Sequence, residues 1–128
     1  MESRRSAIAP TVERVIEAVR DARLSNDQVQ DLAVAVAEAL SNAAVHGHAL
    51  RPRARVRVEV EVTPGKQAVV DVKDSGRGFD FAALSDPTDP SHILLPGGRG
   101  VFLMRRLVDH LEFSESGSRV RLVMERHR

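Results

Sequence analysis

The sequence predicts an α+β fold, a two-layer α/β sandwich in which helices cover one face of a mixed, mostly antiparallel sheet. Three observations carry that expectation. Two segments with helical spacing open the chain, two alternating segments joined by a tight turn follow, and a glycine-led helical segment precedes a second hairpin. The clearest strand alternates valines with charged residues, so it has one wet face and offers the helices the other.

The elements follow in order. From Pro10 to about Ala22, Val12, Val15, Ile16 and Val19 recur at helical spacing, and Pro10 suits a first turn. The stretch "SNDQVQDLAVAVAEALSNAAVHG" predicts a second helix, with Ser25, Asn26 and Asp27 as candidate caps and Gly47 as its stop. In "RPRARVRVEVEVTPGK", Val56, Val58, Val60 and Val62 share one face and Arg55, Arg57, Glu59 and Glu61 the other, ending in a "TPGK" turn. "AVVDVKD" reads as the antiparallel partner, and Val70, Val72 and Asp74 share a parity there. If the valines face the core, Asp74 does too. Residues 79–97, with Pro87, Pro90 and Pro96, keep no period and read as a long mobile loop of the kind used as a lid. "GGRGVFLMRRLVDHL" is a glycine-rich turn leading into a short amphipathic helix, and "LEFSES" and "RVRLVMER" form the last hairpin.

Composition bounds the function. A chain of 128 residues with 42% apolar content has the size and core of one globular domain. A formal charge of +1, with phenylalanine as the sole aromatic type at four positions, supplies neither a general attraction for nucleic acid nor a stacking platform for it. The absence of cysteine excludes disulfides, thiolate metal sites and cysteine nucleophiles. No run reaches membrane-spanning length, and "MESRRSAIAP" does not read as a signal peptide, so a cytoplasmic protein is expected.

Two features ask for chemistry. In "DSGRGFD", Gly76 and Gly78 follow the inward-facing Asp74 at the end of a strand; ordinary turn formation is the bland explanation. In "EALSNAAVH", Glu38, Asn42 and His46 recur every fourth residue, a polar stripe on a helix whose other faces are mostly Ala, Val and Leu. Either that stripe faces solvent, or it is buried and its side chains need partners.

In chain order these motifs resemble the N box and the two glycine boxes of the Bergerat-type ATPases, which include gyrase and the histidine kinases. "EALSNAAVHG" together with "GGRGVFLMRRLVD" is most similar to the bacterial anti-sigma-factor serine kinases, and the resemblance covers residues 10–126. No GxxxxGK[ST] loop competes with it. The domain expected on this basis is 10–128, preceded by a tail over 1–9.

The resemblance implies ATP and magnesium held between the two layers. Asp74 is then a buried acceptor for a purine amino group, with Gly76 and Gly78 leaving room for the base. Asn42 offers magnesium a carbonyl oxygen. Gly98 and Gly100 free backbone N–H groups for phosphate, and the following helix adds its positive end. His46 either touches the nucleotide or is a core histidine, and Arg99 either contacts phosphate or sits in solvent. Ser118 stands where the family often carries threonine, which implies a hydroxyl in the pocket. Glu38, one turn before Asn42, is the catalytic candidate, a base for an acceptor hydroxyl, with a structural carboxylate as the alternative. The implied partners are a sigma factor and an anti-anti-sigma protein of the STAS type, in a homodimer without nucleic acid or membrane. A second reading is an ATP-binding partner switch with little or no kinase activity.

Overall fold

The computed structural model describes residues 5–48, 56–74, 98–114 and 119–127. A 3₁₀ turn, Arg5–Ala7, leads into helix α1, Ile8–Ala18. Val15 is buried on its inner side, and Ile8 and Val12 pack beside it. The apolar spacing that predicts a helix to Ala22 continues past the real end of α1. Val19 and Ala22 are both buried, but a second 3₁₀ turn, Arg20–Ala22, delivers them to the core. Arg23 then takes a left-handed conformation, φ 57°, and reverses the chain.

Helix α2, Asn26–His48, begins at a reciprocal cap. The Gln28 backbone N–H donates to Ser25 Oγ, while the Ser25 N–H donates to Gln28 Oε1, both at 3.1 Å. Leu32, Ala35, Val36, Ala39, Leu40 and Ala43 form the buried side of α2, each worth up to about 1.5 to 3 kcal/mol for the larger side chains. Gly47 does not end the helix, which runs on to His48.

The sheet contains β1 (Val56–Thr63), β2 (Gln67–Asp74), β3 (His110–Ser114) and β4 (Arg119–Glu125) in the order β1-β2-β4-β3. Neighbours pair antiparallel, with Val58 opposite Val72, Val60 opposite Val70, and Val70 in turn opposite Leu122. These side chains make the face covered by the helices. At the β1–β2 turn Gly65 has φ 67°, and its N–H donates to the Asp21 carbonyl at 2.7 Å, tying the hairpin to the connection between α1 and α2.

On the other face Asp71 sits between two arginines. Its carboxylate accepts from Arg121 Nε at 3.1 Å and from Arg119 Nε at 3.3 Å. Burial pushes the Asp71 carboxyl up, but the hydrogen bonds and charges of Arg121 and Arg119 together outweigh that and hold it below its ordinary value.

Helix α3, Gly98–Leu107, packs on α2 and buries Val101 and Met104, with Val108 just beyond its end. Gly98 and Gly100, expected in a turn before this helix, lie within its first turn. The long loop over 79–97 and the "ES", "GS" connection of the last hairpin lie outside the described residues.

Candidate functional site

Among the described residues three polar side chains are buried: Gln28 at 5% exposed, Asn42 at 8% and Asp74 at 6%. Two of them are the residues that the sequence motifs single out. Asp74 reaches the helix-covered side of the sheet by strand parity, as the last residue of β2 and cross-strand partner of Val56. A carboxylate at the end of a strand, inside the layer where helix meets sheet, is an acceptor poised for a donor that enters between the layers.

Asn42 arrives by a different route. The buried side of α2 is wide enough to include it, one turn beyond the half-buried Glu38, so the stripe begun by those two residues does not face open solvent. Asn42 Nδ2 is a buried donor without a hydrogen-bond partner. Such an orphan costs on the order of 1 to 3 kcal/mol, and a ligand, ion or water that accepts from it is one way a folded chain recovers that cost. The amide suits both halves of a metal–nucleotide group, because its oxygen is a ligand for a hard cation and its N–H groups can donate to a phosphate oxygen or a water.

The three elements that carry the motifs meet in the fold. Helix α2 packs on β2 and also on α3. The first turn of α3 consists of Gly98, Arg99 and Gly100 followed by the buried Val101, so the glycines bring a helix start to this layer. The leading N–H groups of a helix have no partner within it, and its N-terminal end is positive, which together favour an anion. The side chains of His46 and Arg99, and all of Gly76, Gly78, Ser118 and the lid expected near residues 86–97, lie outside the described residues.

Gln28 is the third buried polar residue, and the signal that could have found it is the Ser25-x-x-Gln28 capping-box spacing. Its amide N–H donates to the Glu125 carbonyl, and its Oε1 accepts from the backbone N–H of His127 as well as that of Ser25. Glu125 and His127 are distant in sequence, and an amide whose nitrogen and oxygen both find partners within the chain reads as structural.

Residues 2–124 match the model of the histidine kinase-like ATPase domain. The chain belongs to that family. It is 34% identical over 107 residues to the serine-protein kinase RsbW of Bacillus velezensis, which covers 79% of the chain and 66% of the relative. It is 33% identical over 91 residues to the serine-protein kinase RsbW of Bacillus subtilis, covering 66% of the chain and 56% of the relative. The match thus spans less than two thirds of these relatives' own length. Membership implies that the domain binds ATP.

Proposed function

We propose that this ATPase domain is a protein-serine/threonine kinase that acts as an anti-sigma factor, holding a sigma factor and phosphorylating an anti-anti-sigma protein of the STAS type. The observation that carries the reading is the buried, unpartnered amide of Asn42 one turn beyond Glu38. The family and the similarity to serine-protein kinases support it.

In this reading Asp74 accepts the adenine amino group and fixes the base. Asn42 holds magnesium through its carbonyl oxygen, and the first turn of α3, with Gly98 and Gly100, donates N–H groups to the phosphates. Magnesium, when bound, neutralises charge on the phosphates. Glu38 would accept the proton of the serine hydroxyl as that oxygen bonds to the γ-phosphorus and the bond from that phosphorus to the β,γ-bridging oxygen breaks, with ADP as the leaving group. Gly76, Gly78, His46, Arg99 and Ser118 complete the pocket, and the chain works as a homodimer over a domain spanning residues 10–128. The proposed compartment is the cytoplasm, where sigma factors act, and no helix among the described residues is long and apolar enough to cross a membrane.

The test is single-turnover transfer of labelled phosphate from ATP to STAS proteins of the same genome. The parent chain is expected to transfer. Glu38→Ala is expected to keep ATP affinity and to lose about 10²- to 10⁴-fold in rate. Transfer by the variant at the parent rate removes Glu38 as the base. A parent that binds its partners but transfers nothing is an ATP-dependent partner switch instead.

A further inference from the structure

Helix α3 has two unlike sides. Val101 and Met104 hold one side in the core at 2% and 0% exposed, while Phe102 and Leu103 on the other are 39% and 37% exposed. These two and Val34 of α2 are the exposed large hydrophobic side chains among the described residues. The helix contains Arg99, Arg105 and Arg106 and no acidic residue. Arg105 and Arg106 are exposed, and the Arg106 guanidinium lies 5.9 Å from the centroid of the Phe102 ring. That spacing, four residues along one helix, holds a planar cation over an aromatic face before any partner arrives.

We infer that this solvent side of α3 is the docking surface for an acidic protein partner, the one that receives the phosphate; the inference rests on the functional reading above. An aromatic and an arginine stacked together, with a second arginine beside them, are residue types enriched at protein interfaces, and Leu103 adds apolar area to the patch. Their charge is all of one sign, so the complementary surface is acidic around an apolar anchor. The position serves the chemistry as well. Phe102 and Leu103 lie within one turn of the glycines that start the helix, and α3 is about 15 Å long at 1.5 Å per residue. A partner seated on this side therefore lies beside the helix start at which phosphates are proposed to bind, close enough for a loop of it to reach them. Nucleic acid fits less well, since the chain as a whole carries a formal charge of +1 and has no Tyr or Trp for base stacking.

The experiment uses the full chain with MgADP and, as probes, the purified STAS-domain proteins of the source genome, titrated calorimetrically. The double reversal Arg105→Glu/Arg106→Glu is expected to weaken the partner about tenfold or more and to flatten the salt dependence. Phe102→Ser is expected to weaken it with the salt dependence kept. Affinity for a fluorescent ADP analogue stays at the parent value in both. Should the reversal disturb folding, Arg105→Ala/Arg106→Ala retains strong helix formers and is expected to show the same loss at smaller size. Partner affinity within twofold of the parent in these variants overturns the docking surface and leaves the functional reading intact. A parallel fall in nucleotide affinity also overturns it, assigning the residues to the nucleotide site. It is overturned as well if the reversal abolishes binding to phosphatidylglycerol vesicles or shifts the self-association constant while sparing the STAS partner. A parent chain that binds none of the STAS proteins overturns the functional reading, and the docking surface with it.

Discussion

The two ends of α2 bury a carboxamide each and treat it in opposite ways. At the N-terminal end Gln28 has its amide satisfied by Ser25, Glu125 and His127, and through them it fastens the start of α2 to the C-terminal segment. Fourteen residues further along the same helix, Asn42 is nearly as buried and its Nδ2 has no partner. A fold that satisfies one amide so completely had no general obstacle to satisfying the other. The difference separates an amide whose nitrogen and oxygen find partners in the chain itself from one whose nitrogen the chain leaves without a partner, which is what the proposed ligand site requires.

The comparison can be broken first at its structural end. Gln28→Ala removes three side-chain hydrogen bonds and strands a backbone carbonyl and two N–H groups, so the cost is expected to be about 2 to 3 kcal/mol. Denaturant unfolding should show that loss while ATP affinity stays at the parent value. An affinity that falls with stability would mean that the two ends of α2 are not separable.

A smaller effect is expected on the face of the sheet turned away from the site. Asp71 is 14% exposed but its arginines are 32% and 42% exposed, so solvent screens the cluster and Asp71→Ala is expected to cost about 1 kcal/mol at pH 7. Because the folded-state carboxyl lies below its ordinary value, the contribution is complete above the unfolded pKa and is lost as pH falls through the folded one. Parent and variant melting temperatures should therefore begin to approach one another as the pH falls below about 4 and meet only below the folded-state value. Curves that converge on raising the pH instead would contradict the assignment of the stabilisation to Asp71.

The smallest effect concerns Arg23. Its left-handed backbone suits glycine, so Arg23→Gly is expected to stabilise the fold by about 0.5 to 1 kcal/mol, or to be neutral where the added freedom of the unfolded chain offsets the relief. A clear loss in denaturant unfolding would show that the Arg23 side chain contributes more than its backbone costs.

How far the fold was legible follows from the range of the interactions involved. Strand parity alone puts Asp74 inside, because the side chains of a strand alternate whatever lies above them. Helical spacing likewise places Leu32, Val36 and Leu40 in the core. The ends of elements were less legible. Val19 and Ala22 fit either a continuing helix or the 3₁₀ turn that the chain adopts, since both conformations bury them. Gly47 and Gly98 look like breaks, yet glycine in a helix costs only about 1 kcal/mol, and α2 and α3 include them. For the site, the stripe of Glu38 and Asn42 was visible as spacing, but spacing does not say which side of α2 faces the sheet. Gln28 is legible only as the fourth residue of a Ser25-x-x-Gln28 capping box; its bonds to Glu125 and His127 leave no local trace, because those partners lie at the other end of the chain.

The most direct test of the central claim is Asn42→Ala, measured twice on the same preparation, by thermal melting without nucleotide and by titration with MgATP. If the amide is kept for a ligand, deleting a side chain whose Nδ2 has no partner lowers the melting temperature of the free protein less than Gln28→Ala does. The same substitution then weakens MgATP by about tenfold or more. A variant that binds MgATP like the parent, or that melts as far below it as Gln28→Ala does, would contradict the account.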